Sequence, residues 1–215
     1  PMKGINIMKH PYLCKVLSKK TIAENTISLT LDASQIEQSI SPGQFVHVAC
    51  GGRKSYLRRP ISICDAYDNK LRIVFEVRGA GTEELSLLEA GDTADILGPL
   101  GKGFHLPESG TRAAIVGGGI GSFPLLYLAK SLSFPCDIFL GFRTDAHICL
   151  EEDFKALPNA NITICTDDGS RGFCGYAPFA LDAAICDVKY DIIYTCGPRP
   201  MMEHVAKIAR SSGIP

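Results

Sequence analysis

The stretch that most restricts this chain runs from Ala113 to Leu126. Ala113, Ala114, Ile115 and Val116 lead into Gly117, Gly118, Gly119 and Gly121, and a second apolar segment starts at Phe123. An apolar run with β-branched residues, a glycine turn and a fresh apolar run read as strand, tight turn and helix. Glycines let the backbone approach an anion with no side chain between, and the helix that follows offers unpaired N–H groups and the positive end of its dipole. Pro124 suits the first helical turn, where its missing N–H costs little. Ser122 stands where a G-x-G-x-x-G fingerprint would place its last glycine. The stretch therefore binds a nucleotide phosphate or is a tight strand-to-helix turn without a ligand.

The two sides of this stretch differ in texture. From Tyr12 to Leu100 short alternating strands are broken by Pro, Gly, Asp and Asn, the pattern of an antiparallel barrel. Strands are expected at Leu13–Ser18, Thr26–Leu31, Gln44–Ala49, Pro60–Asp65, Leu71–Val77 and Thr93–Leu97, with one helix at Glu83–Leu88. From Arg112 onward strand-like runs (Ala113–Val116, Cys136–Phe142, Ile162–Thr166, Asp191–Tyr194) alternate with helical ones (Phe123–Ser131, Leu150–Ala156, Ala177–Ala184, Met201–Arg210). Such alternation implies a doubly wound parallel α/β sheet covered on both faces. The expected division is residues 1–108 and 111–215, with the turn-rich hinge at Leu106–Thr111. At 215 residues the chain is long enough for two such domains.

A net charge of −1 argues against a nucleic-acid or anionic-membrane partner. No segment approaches the roughly 20 apolar residues of a membrane span, and residues 1–11 lack the apolar core of a signal peptide. The expected location is the cytoplasm. The nine cysteines lack metal-knuckle spacing, the nearest two in sequence being Cys165 and Cys174. Scattered thiols in an odd number fit reduced, mostly buried residues better than a disulfide framework. The five histidines show no ligand or triad spacing, and His47, on an apolar strand, reads as a core histidine.

In the first half, Arg58 and Arg59 precede Pro60, Ile61, Ser62 and Ile63. An arginine beside an extended, proline-fixed strand can offer a fork to phosphate or carboxylate, or it is a solvated basic corner. Arg78 to Leu85 repeats the strand, glycine turn and helix logic. There, N–H groups at Gly81, Thr82 and Glu83 cap a second phosphate, or Thr82 is simply the N-cap of a structural helix. Gly98, Gly101 and Gly103 cluster with Pro99 before the hinge, where a glycine-rich turn reverses the chain or lets something flat lie against it. In the second half, Arg143 and Asp145 follow the second strand, where an acid would hold an adenosine ribose and an arginine would tolerate a 2′-phosphate. Asp167 and Asp168 open a loop of three glycines and Arg171 at the carboxyl edge of the sheet, suited to ribose hydroxyls or to an ordinary polar loop. Met201 and Met202 begin a helix whose face of Met202, Val205, Ala206 and Ala209 reads as core.

The segments Arg59–Ile63, Gly98–Phe104, Gly117–Gly121 and Cys196–Met201, in this order, resemble the ferredoxin–NADP reductase superfamily over nearly the whole chain. Within it they are most similar to the electron-transfer subunit of B-type dihydroorotate dehydrogenase. The resemblance implies FAD in the barrel, with the R-x-[YF]-[ST] motif occupied by Arg59, Pro60, Ile61 and Ser62 and its aromatic replaced by Ile61. It puts the flavin diphosphate at Arg59 and near Gly81 and Thr82, with room for the flavin at Gly101 and Gly103. NAD(H), with NADP as the alternative, belongs to the second domain at Gly117, Gly118, Gly119, Gly121, Asp168 and Gly197. Ser62 is assigned the hydrogen bond at flavin N5, and Cys196 a place on the hydride path as a small polar wall. The implied activity is NAD(P)H oxidation by flavin, with electrons passing to or from a partner redox subunit such as dihydroorotate dehydrogenase. The subfamily carries a [2Fe–2S] cluster on four cysteines after the last helix; Ser211 to Pro215 hold none, so no metal is assigned. Two further readings stay open: a stand-alone NAD(P)H:flavin or ferredoxin reductase, and a nucleotide-binding subunit that transfers no hydride.

Overall fold

The computed structural model describes residues 11–36, 38–51, 56–108, 110 and 112–215. Parts of the expected first domain and of the hinge, residues 1–10, 109 and 111 among them, lie outside the described residues. In the first half, β1 (Tyr12–Ala23), β2 (Thr26–Asp32), β3 (Phe45–Val48), β4 (Arg59–Tyr67), β5 (Lys70–Glu76) and β6 (Thr93–Leu100) close into an antiparallel barrel in the order β1-β2-β5-β4-β3-β6. Alternating residues fill it: Leu29 and Leu31 from β2, Ile63 from β4, Leu71 and Ile73 from β5 and Ile96 from β6 are fully buried. The β4–β5 hairpin turns on Asp68 (φ 46) and Asn69 (φ 58), the two left-handed residues a tight hairpin of matching twist requires. Helix α1 (Ala80–Ser86) drops Leu85 into the same core.

In the second half, β7 (Ala113–Gly118), β8 (Cys136–Phe142), β9 (Ala160–Thr166), β10 (Phe173–Cys174) and β11 (Ile192–Cys196) form a parallel sheet in the order β10-β9-β8-β7-β11. On one face α2 (Phe123–Ser131) and α3 (Glu151–Lys155) bury Leu125, Leu128 and Phe154 against Ile115, Ile138 and Leu140. On the other, α4 (Ala177–Ile185) and α5 (Arg199–Ser211) bury Leu181, Val205 and Ile208 against Val116 and Phe139. The sheet is doubly wound as expected. Its strand order reverses between β7 and β11, and a crevice outside the carboxyl ends of such strands is where open α/β sheets take ligands.

The two halves are joined closely. Cys64 of β4 and Val74 of β5 belong to the apolar cluster under α2 and α3. The Arg72 guanidinium donates to both carboxylate oxygens of Asp153 at 2.6 and 3.2 Å and to Ser28 Oγ at 2.9 Å. Lys130, near the end of α2, pairs with the buried Asp65 of β4. Tyr127 donates to the Ile40 carbonyl at 3.0 Å.

Several local expectations are corrected. Strand β1 runs on to Ala23 because Lys19, Lys20 and Thr21 pair with β2 on an outer, partly exposed ladder that apolar alternation does not mark. Helix α1 starts at Ala80, so Thr82 is its third residue and no N-cap. Its Oγ1 accepts from the N–H groups of Arg78 and Gly79 at 2.9 and 3.2 Å. The two-residue strand β10 had no apolar signature to reveal it. Helix α5 turns Val205 and Ile208 inward and packs Met201, where Met202, Ala206 and Ala209 had been expected to join Val205. His47 is only partly buried and lies beside the Phe45 ring, centroids 5.5 Å apart, and is no core histidine.

Candidate functional site

A cleft of about 970 Å³ opens where the carboxyl ends of β7, β8, β9 and β11 face the barrel. The barrel contributes Ser62 and Arg78; the sheet side contributes Gly118, Gly119, Ile120 and Gly121 after β7, and Cys196, Gly197 and Pro198 at the end of β11. A smaller cavity of about 240 Å³ adjoins it on the barrel, lined by Arg59, Pro60, Ile61, Ser62, Thr82 and Phe123 among others. Strand alternation explains what β4 presents: Ile61 and Ile63 turn inward, whereas Pro60 and Ser62 stay accessible. Ile61, which stands for the expected aromatic, is 8% exposed and belongs mostly to the barrel core.

The glycines divide by what they face. A Cβ on Gly121 would lie 2.3 Å from the Cys196 carbonyl oxygen, and one on Gly118 2.6 Å from Met201 Sδ. These residues let the turn after β7 close against the Cys196–Gly197 backbone, so they bring two loop edges together before any ligand is considered. Gly117 is buried beside Ser122 and Leu125. Gly119 (φ +52) has open space where a side chain would be. In the barrel, a Cβ on Gly81 would meet Arg59 Nε at 2.4 Å, so the bare α-carbon seats the guanidinium. That contact joins two segments 22 positions apart.

Five of the expected site residues line neither cavity: Gly81 and Gly117, whose surroundings are given above, and Gly101, Gly103 and Asp168. Gly101 (φ +80) packs on the Phe45 ring, and Gly103 packs on Ser41 and Pro42. Asp168 is exposed and accepts from the N–H and hydroxyl of Ser170 at 3.0 and 2.7 Å. Its neighbour Asp167 lines the cleft together with Arg143. Burial pushes the Asp167 carboxyl up, against the pull of Arg143. Asp145 pairs with Arg171 at 3.2 Å and is no part of the lining.

Sequence reading also missed the mouth of the cleft. Tyr176, Phe179 and His204 line it as an aromatic row, Phe179 lying 6.0 Å from Tyr176 and 5.2 Å from His204 between centroids. Residues from α5, α4 and the loop before α4 meet there, and only the fold could show it; the exposed aromatic pair three apart was the available signal. Burial raises the Cys196 thiol above its ordinary value, so it stays protonated and uncharged near neutral pH. Two buried hydroxyl oxygens, Ser122 Oγ and Thr195 Oγ1, have no hydrogen-bond partner among the described residues. Among the described residues no three His, Cys, Asp or Glu side chains gather closely enough to hold a metal ion.

No protein-family model matches the chain. Over 200 residues it is 40% identical to the dihydroorotate dehydrogenase B (NAD(+)) electron transfer subunit of Bacillus caldolyticus, covering 89% of this chain and 76% of that protein. Over 214 residues it is 38% identical to the same subunit of Desulforamulus reducens, covering 97% and 81%. The chain belongs to the electron transfer subunits of dihydroorotate dehydrogenase B. A solved structure of an NADH-dependent reduced ferredoxin–NADP oxidoreductase superposes with a TM-score of 0.84 at 30% identity, covering 97% of this subunit and 76% of that chain. Ferredoxin–NADP+ reductase from Plasmodium falciparum shares the fold, with a TM-score of 0.74 at 16% identity over 94% and 90%. The resemblance drawn from the four motifs thus holds over nearly the whole of this chain, which spans about three quarters to four fifths of those relatives. No helix among the described residues is long and apolar enough to cross a membrane.

Proposed function

We propose that this electron-transfer subunit holds FAD on the barrel and NADH on the sheet edge, and that hydride crosses the cleft between Ser62 and Cys196. The observation that carries the reading is that these two residues, 134 positions apart and on different domains, line one cleft at the switch point of the sheet. The first domain is then the flavin domain (about 1–108) and the second the NAD domain (about 111–215).

The residues present fit both groups. The Arg59 guanidinium, seated on Gly81, offers a planar fork to a diphosphate, with the N–H groups of Gly81 and Thr82 at the start of α1 beside it. The cavity below Arg59 is bounded by Ile61, Val74 and Phe75, apolar flanks suited to a flat ring. Bound there, FAD supplies a ring that accepts a hydride and passes electrons on singly. The Ser62 hydroxyl, which lines both cavities, would donate a hydrogen bond at flavin N5 when FAD is bound. The turn Gly118–Gly121 cradles the dinucleotide phosphates at the entry to α2, and Asp167 takes the ribose role expected of Asp168. The Cys196 thiol, uncharged, walls the hydride path and keeps water out without acting as a nucleophile. Gly101 and Gly103 act at a distance, by fixing the loop after β6 against Phe45 and Pro42.

Electrons pass on to the dehydrogenase subunit with which such subunits work. The nine unpaired cysteines support a reducing compartment, the cytoplasm. The test is the visible spectrum of the purified protein with FAD: a bound flavin spectrum, bleached by NADH. Protein that stays colourless with FAD, or a flavin that NADH leaves oxidised, overturns the reading. Within it, Ser62→Ala slows flavin reduction about tenfold with FAD still bound.

A further inference from the structure

Among the described residues, three line both cavities: Ser62, Arg78 and Ile120. Arg78 is the one charged group among them. Its Nη2 donates to Glu76 Oε2 at 2.7 Å, and Glu76 lines the smaller cavity alone. The other charged residues of the large cleft, Arg143 and Asp167, do not line the barrel cavity. The backbone at Arg78 is held independently of its side chain, because its N–H donates to Thr82 Oγ1 at 2.9 Å. The arginine arm therefore lies at the junction of the two cavities on a fixed base, with one carboxylate against it.

The geometry points to Arg78 as the charge that stabilises the reduced flavin, with Glu76 setting how much of that charge is felt. This rests on the reading of the two cavities given above. In the transfer, the C4–H bond of the dihydronicotinamide breaks and the N5–H bond of the flavin forms, and the hydride carries both electrons with its proton. The donor ring thereby gains one positive charge and the flavin one negative charge. A guanidinium at the junction stabilises the anion formed on the flavin side, whereas the same charge is unfavourable to the cation formed on the nicotinamide side, so its contribution is read on the flavin alone, as the potential of the bound ring. Glu76 opposes it on the flavin side, the side whose cavity it lines.

The test is the midpoint potential of the bound flavin, read by equilibration with a dye of known potential in wild type, Arg78→Met, Arg78→Lys and Glu76→Gln. Arg78→Met shifts the equilibrium for flavin reduction about tenfold toward the oxidised form, about 30 mV to more negative potential. Glu76→Gln shifts it the opposite way, and Arg78→Lys keeps the wild-type value. Both shifts shrink as salt is raised, because Arg78 is 60% exposed. Opposite signs support the assignment, since a structural disturbance has no reason to reverse sign between the two variants. Shifts of one sign, or no shift in either variant, overturn it. Wild-type protein that binds no FAD fails the functional reading itself, a result distinct from failure of the Arg78 assignment.

Discussion

The two ends of the parallel sheet are built in opposite ways. At the amino end, Asp137 accepts from Arg112 Nε and Nη2 at 2.7 Å each, from Asn161 Nδ2 at 2.8 Å and from the Tyr190 hydroxyl at 2.8 Å. The Arg112 N–H donates in turn to Asp191 at 2.9 Å. Every carboxylate oxygen of Asp137 is answered by protein. At the carboxyl end, the backbone is bare of side chains at Gly118, Gly119, Gly121 and Gly197, and Ser122 and Thr195 keep hydroxyls without partners among the described residues. A saturated polar network closes a sheet, and an unsaturated, glycine-lined edge leaves room for another molecule. The sequence contains acids and glycines in both halves; which end they reach decides their use.

The contrast breaks most sharply at Gly121. Gly121→Ala places a methyl group on the Cys196 carbonyl, so β7 and β11 part at their carboxyl ends. We expect a loss of about 3 kcal/mol by denaturant unfolding, together with loss of flavin bleaching by NADH. A variant as stable as wild type would show that the two loops are not held at contact. Next in size is Asp137→Asn, which leaves Arg112 half paired and costs about 2 kcal/mol at neutral pH with NADH binding unchanged. Burial resists ionisation of Asp137, but the hydrogen bonds from Arg112, Asn161 and Tyr190 outweigh it and hold the carboxyl below its ordinary value of 3.8. Its contribution is therefore complete above about pH 4 and fades as the pH falls through the lowered folded-state value. The variant should lose less stability in acid than wild type does, and an identical acid limb by circular dichroism would remove the group from the account. Smaller is Gly119→Ala, with no atom in the way but a left-handed backbone to strain, at about 1 kcal/mol in thermal unfolding. Least is Ser122→Ala, which deletes an unanswered hydroxyl: stability should be unchanged or higher by about 0.5 kcal/mol. A clear loss would mean that the hydroxyl is answered in solution and that the two ends differ less than their geometry shows.

Much of the fold was legible because its punctuation is strong. The bounds of α2 and β8 match expectation, since Pro124 marks the first turn, Pro135 precedes the strand and the residues between are evenly apolar. The barrel was legible from alternation, and its longest strand was cut short where Lys19, Lys20 and Thr21 replace apolar residues along it. Of the residues singled out from the sequence, Arg59, Ser62, Gly121 and Cys196 do line the two cavities, because there residue type and chain position coincide. The site was obscure where direction decides. Asp167 and Asp168 are adjacent acids, and only the turn that ties Asp168 to Ser170 says which of them faces the cleft. Gly101 and Gly103 carry the same signal as Gly119, namely close approach, and the sequence does not say to what. Arg78 reads in the sequence as the start of a glycine turn, and only the fold places it where two cavities meet.

Cys64 and Val74, barrel residues sealed into the other half's core, bear on how the chain behaves as a whole. Phe104 and the hinge residue Leu106 pack against that same cluster, and Tyr194 donates to the His105 carbonyl at 2.6 Å. Cutting the chain at the hinge would thus leave neither piece with a finished interior, and the intact chain should melt in a single transition. The chain has two modules of different texture but one cooperative interior; evolution could retune the surface of either half separately, but it could exchange neither half without rebuilding the seam.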